Sequence, residues 1–121
     1  MARRINMIIT IGASPINAAT GTVNAPAAGS APLYVSEYLV QALPGGSAGV
    51  VKVYDGVPIS RAVDTTNDLT VELGPAGATT PSTPFEMWDK SLDRGGIDLN
   101  EIWIHGAHST DTVAFSYVPK I

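Results

Sequence analysis

The chain has 121 residues, a formal net charge of −4, 15% charged residues and no cysteine. That length supports one hydrophobic core and not two, and the missing thiols exclude disulfides and cysteine-ligated zinc. Nucleic acid is excluded as a partner: residues 62–121 carry three basic against nine acidic side chains, and the adjacent Arg3 and Arg4 cannot neutralise the roughly six to ten phosphates that a tight duplex binder engages.

Twelve glycines and nine prolines interrupt nearly every window long enough for a helix, and apolar residues recur at spacing two. The pattern predicts an all-β domain over residues 1–121, a single antiparallel β-sandwich or small barrel of the jelly-roll or Ig-like kind. Its first strand is expected at 4–11. There "MARRINMIITIGASP" has the charged tip, apolar stretch and small residues of a signal peptide, but Ile5, Met7, Ile9 and Ile11 alternate with Asn6, Ile8 and Thr10 as a strand does. No apolar run reaches about 18 residues, so no membrane span is expected.

"ASPINAATGTVNAPAAGSAP" (13–32) is twenty residues of mostly small side chains. Ordering it would cost roughly 20–40 kcal/mol of backbone entropy. Offsetting that takes on the order of 800–1,600 Å² of apolar burial, the size of a protein–protein interface. The segment is therefore read as an extended arm that contributes no core, is mobile in isolation and orders against a neighbouring subunit.

Strands are expected next at 33–43 and 49–55, with Val51 and Val53 alternating with Lys52 and Tyr54 so that one face meets a core and the other solvent or a neighbour, then at 57–63 and 69–73. Between the first two, "GGSAG" (45–49) matches the nucleophile-elbow pattern around Ser47. That motif needs a strand turning into a helix, whereas "VVKVYDG" follows here, so a glycine-rich hairpin loop is expected. A second long loop is expected at 74–84. "TPFEMWDKSLD" (83–93) is the best helical candidate, of one or two turns.

"SLDRGGIDLNE" (91–101) gathers Asp93, Asp98, Asn100 and Glu101, but without the spacing of an EF-hand loop. A polar turn is expected there, with a loop calcium site as the competing reading. A strand follows at 97–104, where Trp103 points away from Ile102 and Ile104 and serves either the core or an interface. "IHGAHSTD" (104–111) offers His105, His108 and Asp111 as metal ligands. No third histidine closes the set, and Gly106, Ser109, Thr110 and Asp111 have the make-up of a hairpin turn. The last strand is expected at 112–118, with Val113, Phe115 and Tyr117 on one face. Catalytic, cofactor and metal residues are expected to be none.

Taken together, the basic start "MARRI", the small-residue arm, the short Val- and Thr-rich strands and the final "TVAFSYVPKI" resemble small structural proteins of tailed-phage virions, of the capsid decoration or cement type. The resemblance implies a non-enzymatic homo-oligomer, often a trimer. Such a protein is made in the host cytoplasm and sits on the outer face of the capsid, clasping neighbouring major capsid protein subunits. The competing expectation is a carbohydrate- or ligand-binding β-sandwich with Trp103, Trp88 or Tyr54 as a stacking platform.

Overall fold

The computed structural model describes residues 3–11, 14–42, 51–73, 87–91, 96–106 and 111–120. Its strands are β1 (Ile5–Ile11), β2 (Ile16–Asn17), β3 (Tyr34–Ala42), β4 (Val51–Asp55), β5 (Val71–Leu73), β6 (Met87–Ser91), β7 (Ile97–Asp98), β8 (Ile102–His105) and β9 (Asp111–Pro119), with a 3-10 turn at Leu99–Glu101. One sheet runs β1-β9-β3-β6, with β7 continuing the line of β6 along β3. The other runs β2-β8-β4-β5, and all pairings are antiparallel. The two sheets pack as a sandwich and do not close into a barrel.

Alternation builds the core. Ile9 and Ile11 of β1, Val113 and Phe115 of β9, and Val35, Tyr38 and Val40 of β3 face Val51, Val53, Leu73, Ile102 and Ile104 of the other sheet. Burying each such side chain contributes about 1.5–3 kcal/mol. β3 needs a phase correction to do this, because a regular strand that buries Val35 would also bury Glu37 and Leu39. The register against β9 shifts between Val35 and Glu37. This bulge turns Glu37 outward and sends Tyr38 and Val40 inward, where they are 1% and 0% exposed.

Several expectations need correcting. Residues 57–63 form no strand; the chain turns at Gly56 (φ 84°) and folds back over the sheet face, burying Val57. The helical candidate 83–93 contains β6, a strand paired with Glu37–Gln41 of β3. The strand at 97–104 is split by the 3-10 turn. Gly96 (φ 79°) starts it in a conformation that suits glycine, and a Cβ there would approach Tyr34 Cβ to 3.1 Å. "IHGAHSTD" is not a hairpin, since β8 and β9 lie in different sheets; nor is the Ser47 segment, since β3 and β4 also do. The loop 74–84, Ser47, Asp93 and His108 lie outside the described residues.

The arm is corrected most. Its first part is inside the sandwich: Ile16, Asn17 and Ala18 are 8%, 0% and 2% exposed, and Ile16 and Ala18 join the main core. Asn17 organises the turn that follows. Its Nδ2 donates to the Asn100 carbonyl at 2.7 Å, and its Oδ1 accepts the Ala19 and Thr20 N–H groups at 2.9 and 3.3 Å. An alanine there would strand a buried carbonyl and two N–H groups. Asn17→Ala is expected to lower unfolding free energy by about 2–4 kcal/mol, read from urea melts; a loss under about 0.5 kcal/mol would mean that solvent replaces these bonds.

Candidate functional site

The acidic segment 97–101 is a fastening point. The Asp98 side chain caps the 3-10 turn by accepting Asn100 N–H at 3.0 Å, and the same Oδ1 accepts Leu33 N–H at 3.1 Å. Asn100 Nδ2 donates to the Ala31 carbonyl at 3.1 Å, and Leu99 N–H donates to the Leu33 carbonyl at 2.8 Å. Asp98 Oδ1 and Asn100 Nδ2 therefore serve backbone groups. Both ends of the excursion from Ala18 to Leu33 are tied to this one turn. Between them residues 20–24 and 27–34 are exposed, with Val23 57%, Leu33 45% and Tyr34 48% accessible.

The outer face of the β2-β8-β4-β5 sheet carries two of the three aromatic residues expected as a stacking platform, Tyr54 and Trp103, and the chain covers them. Tyr54 and Trp103 are 0% and 6% exposed, packed with Val57 and against Ala25, Val63 and Leu69. Trp103 thus fills a second, small core outside the sandwich. It lines a depression of about 220 Å³ with Ser14, Pro15, Val23, Ala62 and Val63. The covering loop is held by Arg61, whose two terminal nitrogens meet both Asp68 oxygens at 2.6 and 2.9 Å. That guanidinium and the Asp64 N–H hold the Asp68 carboxyl down to about 2. β6 places Trp88 opposite Val40.

His105 ends β8 on the same face, cross-strand from Lys52, which in turn faces Glu72. Its ring stacks on Tyr54 with centroids 5.8 Å apart and planes at 10°, and Nδ1 lies 2.9 Å from the Tyr54 hydroxyl. Burial and then the Lys52 ammonium hold His105 below the usual histidine range. Burial and then Glu72 push the Tyr54 phenol up. In the tautomer protonated at Nε2 the neutral imidazole accepts the phenol hydrogen at Nδ1, and in the other it donates to the phenol oxygen. Asp111 begins β9 in the other sheet. Among the described residues no group of three or more His, Asp or Glu side chains could hold a metal.

The outer face of the β1-β9-β3-β6 sheet is different. Asn6, Ile8, Leu39, Gln41, Ala114 and Ser116 surround a depression of about 550 Å³. Ile8 is 72% exposed. At one end Arg4 donates to Ser116 Oγ at 2.7 Å and pairs with Glu37, so this end carries no net charge. Alternation alone does not single out this face; the signal in the sequence is an isoleucine, Ile8, at a position where the alternation calls for a polar residue. The chain matches no protein-family model, no curated protein and no solved structure.

Because the folded-state pKa of His105 is depressed, the unfolded chain takes up this proton first as pH falls. The stability linked to His105 is present above about 6.5, the unfolded-state value, and is lost as pH drops below it. NMR titration of the ring should give a pKa below 6.5, and Lys52→Gln should raise it. An unchanged midpoint in Lys52→Gln would rule out the lysine's part.

Proposed function

We propose that this protein is a non-enzymatic structural β-module of the capsid decoration type, attached to the outside of an assembled shell through extended, uncharged contacts. The observation that supports this reading is the excursion 18–33: a long, small-residue loop, exposed over most of its length yet fastened at both ends to the 98–100 turn. Anchoring limits the entropy lost when such a loop is laid on a partner, and Pro26 and Pro32 limit it further. Val23, Leu33 and Tyr34 offer apolar contact, and no charge between residues 5 and 36 needs desolvating. The partner would be coat subunits whose junctions the loop spans. The stacking platform of a glycan-binding module has less support, because Tyr54 and Trp103 are covered.

Gradient sedimentation with assembled shells tests this. The protein should band with the particles, and Gly-Ser replacement of residues 26–30 at equal length should weaken binding by about tenfold or more with little change in melting temperature. Replacement of the whole 13–32 segment should instead destabilise the domain, because Ile16, Asn17 and Ala18 go with it. A protein that stays at the top of the gradient with every shell offered would end the proposal.

A further inference from the structure

A β-sheet edge is a row of open N–H and C=O groups, and sandwiches blunt their edges with short strands, charges or proline. Three of the four edges here follow that rule. β2 has two residues, β5 has three with Glu72 at its centre, and β6 carries Asp89 and Lys90. The fourth is β1, seven residues long, "INMIITI", with neither charge nor proline, and among the described residues no strand pairs with its outer side.

The β1 sequence is also symmetric about its middle. Centred on Ile8, Ile5 mirrors Ile11, Asn6 mirrors Thr10 and Met7 mirrors Ile9. An antiparallel pair of identical strands on a two-fold axis brings together these same mirrored positions. Like would meet like: Ile5 with Ile11 and Met7 with Ile9 on the core side, Asn6 with Thr10 on the outer side, and Ile8 with itself. The alternation leaves Ile8 outward at 72% exposure and Ile5 inward at 38%, and the pairing covers both. Charge does not oppose it. Arg4 is already bound to Glu37, and the two Arg3–Arg4 ends fall at opposite ends of the paired ribbon.

We infer that β1 is a self-association edge, at which two copies of this chain pair β1 to β1 about a two-fold axis through Ile8 and join their β1-β9-β3-β6 sheets into one continuous sheet. This does not rest on shell binding. It departs from the trimer that the decoration-protein resemblance implies, since an isologous edge closes after two copies.

The test uses the full chain and position 8, which is exposed enough to vary without disturbing the core. Sedimentation velocity at micromolar concentration should give a monomer–dimer equilibrium. Ile8→Lys and Ile8→Glu should each weaken it by about tenfold or more, because each places like charges opposite one another, with circular dichroism and melting temperature retained. Mixing the two variants should restore the dimer as a Lys–Glu heterodimer. A monomeric or trimeric wild type, or variants that dimerise as well as the wild type, would overturn the inference. So would a mixture that stays monomeric, since position 8 would then not meet itself.

Discussion

The contact on which the molecule depends is the one between Asn17 and Asn100. One amide side chain, fully buried, satisfies the Asn100 carbonyl with its nitrogen and two turn N–H groups with its oxygen. Asn100 in turn holds the Ala31 carbonyl, and its neighbour Asp98 holds Leu33 N–H. Glu101 adds its carbonyl, which accepts both Gly56 and Val57 N–H, and the Ile102 carbonyl accepts Ala18 N–H. Five consecutive residues, 98–102, thus fasten three pieces of irregular chain. Buried backbone must find partners somewhere, and here one short crossover between the sheets supplies them. The crossover itself can bend because Asp98 caps the 3-10 turn.

This arrangement follows from a chain that changes sheet repeatedly. β1 passes to β2, β2 to β3, β3 to β4, β5 to β6, β7 to β8 and β8 to β9 across the sandwich. Among the described residues, the crossings at 18–33 and 99–101 have no ladder of their own to join. Short side chains with oxygen and nitrogen near the backbone suit such places, which accounts for Asn17, Asp98 and Asn100.

Much of the fold was legible because alternation was strong where burial is one-sided. β1, β3, β4 and β9 fall where Ile, Val, Phe and Tyr recur at spacing two. Legibility failed where tertiary context decides. "VPISRAV" alternates too, yet Gly56 and Pro58 break the strand, and Val57 and Val63 find burial against Tyr54 and Trp103 instead. "MWDKS" is too short for its period to decide between helix and strand, and the open side of β3 decides it. Turn chemistry around Gly106 and Ser109 looks the same whether the flanking strands pair or part, so the sequence does not separate a crossover from a hairpin there. The polar side chains at 98–100 were visible as a cluster, but their use was not, because the backbone groups of Leu33 and Ala31 that Asp98 and Asn100 bind lie 65 and 69 residues away in sequence. In the arm, Ile16 was the one large side chain among small ones, and it marked the piece that enters the core.

The two outward faces now separate by what the chain itself does to them. On the β2-β8-β4-β5 face, residues 57–69 and Ala25 cover Tyr54 and Trp103, so the large aromatic area there stabilises the monomer and is spent. On the β1-β9-β3-β6 face the bulge in β3 rotates Glu37 outward, where it neutralises Arg4. What remains between β1 and β3 is Ile8, Leu39 and Ala114 among Asn6, Gln41 and Ser116, uncharged and open around the 550 Å³ depression. An exposed isolated leucine is ordinary. An exposed isoleucine on an unblunted edge, beside Arg4 already paired with Glu37, is the surface on which the proposed self-association rests. The same bulge that completes the core therefore also prepares the outside, by removing a free charge from the face that self-association would extend.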